Sequence, residues 1–354
     1  MNATASNATA PRLRLDNAGF WFITLAALVG LAFSHYFRNV LSGTSEYAGV
    51  FHFHGALAFL WVTLLIVQPL LIRTRRFGLH RRVGTIGLAV MPLFIVSGLM
   101  VHHYLGNLQP ERPETLFDVA NGGGLVILAV FYGIAVWKRH DVQIHARAMI
   151  STGIGMIQPA SDRLFAKLLA FLHVPDRRLG FDLRIDNLVS LILIVGLLVA
   201  LIVVERRQHA GRWVFPLLLA MLVGFQCFDS LHPSGTIPGI DPAFGKWFLA
   251  LPLPNPPPVE AKDLPIPPGE IDAYVGAWDV SYDLVTYKQG NELWGQLQDD
   301  GATKHLRFLY QGNDRFIPSE IQRAVLHFHV TDGKADSVAL YFGGTEGRLA
   351  SRKE

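Results

Sequence analysis

The sequence predicts an α-helical membrane bundle of about seven transmembrane helices, followed by a C-terminal all-β soluble domain, an antiparallel barrel or sandwich. Of the 354 residues, 51% are hydrophobic and only 17% are charged, whereas a soluble domain carries about a quarter charged residues. The apolar runs lie within residues 18–230, and residues 255–354 have the composition of an ordinary soluble domain. A proline-rich stretch separates the two parts, so we expect two domains in different environments.

Seven segments approach the length of about 20 apolar residues that a helix needs to cross a bilayer. They are residues 18–37, 51–72, 85–105, 122–137, 147–172, 187–204 and 213–230. The fifth is the least regular, because Asp162, Arg163 and Lys167 interrupt its second half. The first 17 residues are polar and have no apolar leader, so we expect no cleaved signal peptide there.

Four regions follow from this division. We expect a cytoplasmic N-terminal tail at 1–17, a seven-helix transmembrane domain at 18–232, a proline-rich linker at 233–269 and a β-domain at 270–354. Proline fixes the backbone angle φ and lacks an N–H group, so the linker is expected to be an extended, semi-rigid spacer.

The distribution of Lys and Arg predicts how the bundle is oriented. The loops on one predicted side hold thirteen of them near the helix ends, and the loops on the other side hold five. Positively charged loops remain in the cytoplasm, so we expect a cytoplasmic N-terminus and a periplasmic C-terminal domain in a bacterial inner membrane. The main topology anchors follow the second segment: Arg73, Arg75, Arg76, Arg81 and Arg82.

Residues 270–354 alternate between apolar and polar side chains, as half-buried strands do. The segment LHFHV is expected to divide between two faces, with Leu326, Phe328 and Val330 on one and His327 and His329 on the other. Turn signals at QGNE, QGND, TDGK and FGG delimit about six to eight short antiparallel strands. That number suffices for a small barrel or sandwich.

This domain also carries a resemblance. The segments IDAYVGAWDV, GNELWGQL, HLRFLYQGNDRFI, LHFHVTDGKADSVALYFGG and RLASRK occur in an order that resembles the small lipocalin-like β-domain appended to serine hydrolases of the penicillin-binding and class C β-lactamase kind. The resemblance implies a fold only. Those hydrolases use an S-x-x-K motif for nucleophile and base, and this sequence does not contain that motif.

The second apolar segment contains a stripe of side chains that can carry chemistry. His54, Trp61 and Gln68 are spaced by seven residues, so they share one face of a helix, while His52 points roughly 200° away from His54. Polar side chains within a span usually face the bundle interior. We therefore expect the stripe to face inward, with Gln68 repairing the backbone around Pro69.

Several polar residues are expected at the outer ends of the helices, on the same side as His54. Together they would line one polar pocket open to the periplasm. The candidate set for this ligand or metal pocket is His35, His54, His102, His103, Asp162, Arg163 and Asp186.

Three kinds of chemistry suit that set. Neutral imidazoles with a carboxylate suit a single transition metal, zinc or iron. One haem would need His54 paired with His102 or His103 as axial ligands. A metal-free pocket for a small molecule or a lipid head group is the third, and scattered interfacial residues without a shared role are the alternative. No H-E-x-x-H spacing is present, and the single cysteine, Cys227, excludes a multi-cysteine metal site.

The functional hypotheses follow from those alternatives. The first is a periplasm-facing pocket that binds a small ligand, metal or lipid head group. The second is a membrane-embedded metal- or haem-dependent oxidoreductase or hydrolase, and the third is a non-catalytic scaffold or accessory subunit. Expected partners are membrane lipid and a periplasmic small molecule or protein. Nucleic acid is not expected, because the basic residues are accounted for by the cytoplasmic loops.

The bundle resembles a family of bacterial multi-pass membrane proteins of unknown activity. The resemblance covers about residues 50–212, through HFHGALAFLWVTLLIVQPLLI, LHRRVGTIG, IHARAMIST and DNLVSLILIVGLLVALIVVERRQHAGR. It implies the same architecture, with an outer histidine, an HRR-x-G cytoplasmic loop and an aspartate that opens the sixth segment. No activity is implied by it.

Overall fold

The computed structural model describes most of the chain. The described residues are 17–43, 47–107, 119–172, 178–179, 183–206, 210–231, 247–255, 261–278, 284–299, 302–320, 324–342 and 349–353. They form two compact units. The helical unit comprises the described parts of 1–38, 53–102 and 113–250, and the β unit comprises those of 39–52, 103–112 and 251–354.

Nine α-helices are present among the described residues. They are α1 Ala18–Ala32, α2 Ser34–Ser42, α3 Gly49–Arg73, α4 Phe77–Gly106, α5 Val119–Trp137, α6 Val142–Gly155, α7 Ile157–Phe171, α8 Ile185–Glu205 and α9 Val214–Leu231. Each predicted apolar segment coincides with helix, but the first and the fifth are each divided in two. The divisions fall at Phe33 and at Met156.

Fewer than seven of these helices meet the length and composition of a membrane span. Within the described residues, α3, α4 and the part of α8 at Asn187–Glu205 do so. The pair α1 and α2 adds a fourth if it counts as one span, although the two helices are bent by 67°. A helix rises about 1.5 Å per residue, so the 14 residues of α6 are too short to cross about 30 Å of hydrocarbon. These helices indicate membrane association and do not support a count of seven.

Apolar side chains occupy both the inside and the outside of the helical unit. Trp61, Met91 and Phe131 are at most 1% exposed and belong to its core. Phe59 and Ile192, by contrast, are 68% and 62% exposed. A helix that is apolar all round is typical of burial in a protein or a membrane, which fits contact with lipid.

Close contact between helices depends on small residues. A Cβ atom at Gly153 of α6 would lie 2.1 Å from Cε1 of Phe22 on α1, and one at Gly19 would lie 2.8 Å from the carbonyl oxygen of Ile66 on α3. Small residues of this kind are common where membrane helices pack.

The β unit contains an eight-stranded antiparallel sheet in the described residues. Its strands are β3 Gly276–Trp278, β4 Leu284–Gln289, β5 Glu292–Asp299, β6 Ala302–Gly312, β7 Arg315–Pro318, β8 Ala324–Thr331, β9 Lys334–Phe342 and β10 Leu349–Ser351. Each strand pairs with the next along the chain, in the order β10-β9-β8-β7-β6-β5-β4-β3. A separate pair, β1 Arg178–Leu179 and β2 Leu183–Arg184, is also antiparallel.

The two edge strands of the sheet approach each other, which makes it a near-barrel. An isolated antiparallel bridge joins Trp278 to Arg352, and the N–H of Lys353 donates to the carbonyl of Ala277 at 2.8 Å. The guanidinium of Arg352 lies 5.4 Å from the centroid of the Trp278 ring and donates to the carbonyls of Val275 and Ala335. The prediction of an antiparallel barrel or sandwich is therefore confirmed at the level of a near-barrel sheet.

Aromatic side chains fill the interior of this sheet. Trp278 and Phe316 are 0% exposed, and Phe328 is 1% exposed. The prediction that Val330 lies on the same face as Phe328 is wrong, since Val330 is 37% exposed. The register shifts between His329 and Val330, where Asp336 of β9 is the extra residue, and a bulge disrupts the ladder locally.

Candidate functional site

His54 lies near the N-terminal end of α3 and contacts two side chains of α4. Its Nδ1 lies 2.9 Å from the hydroxyl oxygen of Ser97, and its ring stacks on Phe94 with 4.9 Å between centroids. The Ser97 hydroxyl donates its proton to the carbonyl of Phe94 at 2.8 Å. Ser97 therefore accepts from Nδ1–H, which leaves Nε2 as the ring's acceptor.

Two more of the predicted site residues lie near this histidine. His102 of α4 and Arg163 of α7 are close enough to His54 to interact with it electrostatically. The structure thus brings together three members of the set predicted from the sequence, on α3, α4 and α7.

The break between α1 and α2 lies beside the same stretch of α7. Lys167 Nζ donates to the carbonyl of Ala32 at 2.8 Å, to that of Leu31 at 3.3 Å and to the hydroxyl of Ser34 at 3.0 Å. The guanidinium of Arg163 lies 4.8 Å from the centroid of the Phe33 ring. A helix end leaves carbonyl groups without intrahelical partners, and Lys167 supplies donors to them.

Positive charge accumulates at this bend. Lys167 is repelled by Arg38 of α2 and by Arg163, so three cationic side chains lie in one neighbourhood. Asp162 is partly buried next to Arg163. From the sequence, Lys167 was expected only to interrupt a span. The spacing of Arg163 and Lys167, one helical turn apart, is the signal that would have placed both on one face.

Three predicted residues remain. His35 adjoins Ser34 at the same bend and is exposed on α2. His103 is 0% exposed in the β unit, where its ring lies 3.4 Å from the carbonyl of Pro254 and in contact with Asn107. Asp186 belongs to α8, but its side chain lies outside the described residues.

The described residues do not form the metal shell expected from three histidines and an aspartate. Among them, no group of three or more His, Cys, Asp or Glu side chains is arranged to hold a metal ion. The side chain of Asp186, one of the predicted ligands, lies outside the described residues.

The topology anchors lie at the end of α3, in the turn that follows it and in the first turns of α4. All five arginines are exposed there: Arg73, Arg75, Arg76, Arg81 and Arg82. Arg73 also donates to the side chain of Asn17 and lies 5.2 Å from the centroid of the Phe20 ring. Which side of the membrane this turn occupies stays a prediction.

A buried ion pair that was not predicted from the sequence joins α6 to α8. Arg147 and Glu205 are 1% and 3% exposed, with Nε to Oε2 at 2.6 Å and Nη2 to Oε1 at 2.9 Å. Nη1 of Arg147 also donates to the carbonyl and the side-chain oxygen of Gln143. From the sequence alone, Arg147 is one of the thirteen basic residues that predict the orientation of the bundle. Glu205 directly follows the sixth apolar segment, and an acidic side chain at that position was the sequence feature that could have indicated a buried partner.

The inward orientation of the α3 stripe is confirmed for two of its members. Trp61 is 1% exposed and Gln68 is 9% exposed. The expectation that Gln68 repairs the backbone at Pro69 is wrong, because neither polar atom of its side chain makes a hydrogen bond within the described residues.

Comparison of the chain with protein-family models, with curated proteins and with solved structures finds no match.

Proposed function

We propose that this chain is a multi-pass protein of the bacterial inner membrane that binds an anionic group, the head group of a lipid or a small soluble anion, in a polar pocket facing the periplasm. The pocket is formed by the outer ends of α3, α4 and α7. In this proposal the seven apolar segments all cross or enter the membrane, with the broken helices packed inside protein.

The observation that carries the proposal is the convergence of His54, His102 and Arg163 beside the cationic bend of α1 and α2. Guanidinium and ammonium groups bind phosphate and carboxylate oxygens through charge-assisted hydrogen bonds. A cluster of like charges is unfavourable by itself, and an anion bound among these cations relieves their repulsion.

The division of roles within the pocket follows from the contacts. Lys167 has three N–H donors, and three acceptors of the bend surround it, so it shapes the pocket. Arg163 supplies a fixed charge above Phe33. His54 is oriented by Ser97, and its Nε2 either accepts from a ligand or, once protonated, donates to an anion.

Lipid titration of the purified full chain tests the proposal. Phosphatidylglycerol should raise the thermal unfolding temperature more than phosphatidylcholine, which has no net charge. Arg163→Gln should need about tenfold more phosphatidylglycerol for the same rise, since a hydrogen bond to a charged group contributes about 1.5–3 kcal/mol. His54→Ala should also weaken binding.

Two matched controls sharpen the result. His52→Ala changes a histidine two positions away that points in another direction, and Arg139→Gln removes an exposed arginine after α5; both should bind like the wild type. Equal stabilisation by inorganic phosphate would identify a soluble anion as the ligand. Identical titrations for all four variants and the wild type would contradict the proposal.

A further inference from the structure

Two histidines on the outer face of the β unit lie close together and take no part in the pocket described above. His327 and His329 are alternate residues of β8, so they project from the same face of the sheet. His327 is half-buried and His329 is exposed, whereas Leu326 and Phe328 are buried in the core. The pair is therefore open to solvent, while the strand that carries it is anchored in the interior.

The backbone beneath the pair is fixed on both sides. β8 is an inner strand of the sheet, and His327 lies opposite Ala339 of β9 and opposite Arg315 of β7. Sites built on strands hold their side chains more precisely than sites on loops. The two imidazoles therefore leave the sheet at a defined spacing.

The distance between the two rings fits a shared metal ion. Their centroids are 4.9 Å apart and their planes are tilted by 40°. A ligating imidazole nitrogen lies about 2.0–2.1 Å from the metal, which places each ring centroid about 3.2 Å from it. When the two bonds meet at about 90–109°, from square-planar to tetrahedral geometry, the centroids are about 4.5–5.2 Å apart. The observed separation lies within that range.

The charges beside the pair act on a cation in opposite directions. The carboxylate of Asp336 attracts His329 and accepts from the hydroxyls of Thr331 and Ser337 at 3.0 and 2.7 Å. It is not a third ligand, because no group of three such side chains in the described residues is arranged to hold a metal. Arg315 opposes it as a positive charge. The imidazoles therefore decide which ion binds.

We propose that His327 and His329 form an open two-histidine site for a divalent transition metal ion, with Cu²⁺ bound most tightly. Imidazole nitrogen suits copper, nickel and zinc, and affinity among these ions is highest for Cu²⁺. Water takes the remaining positions around the ion, as it does at metal sites that keep an open position. The site is separate from the anion pocket and does not depend on it. Packing of the two rings against each other without an ion is the alternative.

Cu²⁺ titration of the detergent-purified full chain, prepared without a polyhistidine tag, tests this proposal. Calorimetry measures the affinity, and electron paramagnetic resonance should show two nitrogen ligands on the tightest equivalent of copper. His327→Gln and His329→Gln should each weaken that equivalent at least tenfold, because the second imidazole binds intramolecularly at a high effective concentration. The double variant should be only slightly weaker than either, since one imidazole alone no longer chelates.

Matched controls lie on the neighbouring strands. His305→Gln changes an exposed histidine of β6, and Arg315→Gln removes the positive charge opposite the pair. Both variants should bind Cu²⁺ at least as tightly as the wild type. Ni²⁺ and Zn²⁺ should compete more weakly for the same equivalent, and Mg²⁺ should not compete, because it requires oxygen ligands.

The contrary results are equally specific. Unchanged Cu²⁺ affinity in both His327→Gln and His329→Gln would overturn the site and leave ring packing as the explanation. A loss of the same size in His305→Gln would also overturn it, since copper would then bind exposed histidines in general. Circular dichroism of each variant without metal checks that the sheet is intact. If a variant does not fold, fewer than two nitrogen ligands on copper in the wild type would by itself contradict the proposal.

Discussion

Two buried tryptophans have opposite surroundings in the two units of this chain. In the β unit, Nε1 of Trp278 donates to the hydroxyl of Thr286 at 2.8 Å, and that hydroxyl donates in turn to the carbonyl of Tyr274 at 2.5 Å. In the helical unit, Nε1 of Trp61 has no partner among the described residues. Both rings are at most 1% exposed.

The difference between the two tryptophans lies in whether the surrounding chain supplies a hydrogen-bond partner for the buried indole N–H. A buried polar network that is fully satisfied fixes a single core, and the β unit has such a network around Thr286. The helical unit combines a satisfied ion pair, Arg147 with Glu205, with the unsatisfied atoms of Trp61 and Gln68. In the β unit, Arg307 Nε is also buried without a partner among the described residues, so the contrast concerns the surroundings of the two tryptophans.

The largest expected effect comes from breaking the ion pair between Arg147 and Glu205 in the helical unit. Arg147→Ala should lower the free energy of unfolding by about 3–5 kcal/mol, because it leaves the Glu205 carboxylate buried without its partner. Thermal unfolding of the purified chain, followed through its helical circular dichroism, measures the effect. Arg139→Ala, an exposed arginine before α6, is the matched control and should change little. A small effect at Arg147 would mean that the pair is solvated in solution.

The tryptophans themselves give the next test. Trp278→Phe should cost about 2 kcal/mol, because it removes the hydrogen bond to Thr286 and weakens the contact with Arg352. Trp61→Phe leaves a similar cavity but should cost about 1 kcal/mol less than Trp278→Phe, since the N–H that it removes has no partner among the described residues.

Urea unfolding of each variant, beside the wild type, measures both values. The first variant is followed by β-sheet circular dichroism in a fragment of residues 262–354, which we expect to fold alone. The second is followed in the full chain. Equal losses at the two positions would remove the distinction between the units.

The smallest expected effect is a dependence of stability on pH, and it involves the turn between β6 and β7. The hydroxyl of Tyr274 donates to Asp314 at 2.6 Å, and burial, followed by this hydrogen bond, raises the pKa of Tyr274 above its usual value. The unfolded chain ionises near pH 10 while the folded chain stays neutral. Stability from this group is therefore complete below about pH 10 and is lost as the pH rises further.

Chemical unfolding of the 262–354 fragment measures this loss between about two pH units below and one pH unit above the ordinary tyrosine pKa of about 10. Tyr274→Phe should flatten the decline above pH 10. A decline that is identical in the variant would assign it to other groups.

Local pattern predicted much of this structure. The apolar runs located every helix of the bundle region, and the alternation in LHFHV placed Leu326 and Phe328 in the core. The same alternation did not predict the exposure of Val330, which lies beside a bulge that depends on how β8 pairs with β9. A period of two in one strand contains no information on the register of its neighbour.

The site was predicted less completely, for a related reason. The spacing of His54, Trp61 and Gln68 fixed their common face without any knowledge of the fold. The contact of Arg147 with Glu205 joins residues 58 positions apart, and that of Lys167 with the α1–α2 bend joins residues more than 130 apart. Neither residue type nor helical period indicates which distant partner a charge will meet. The break at Phe33 was not predicted for the same reason, because the carbonyl groups beside it accept hydrogen bonds from the distant Lys167.

The bend at Phe33 also bears on the biosynthesis of this protein. Its carbonyl at Ala32 accepts from a side chain that follows 135 positions later. The contacts of Lys167 with the bend can therefore form only after α7 has been synthesised.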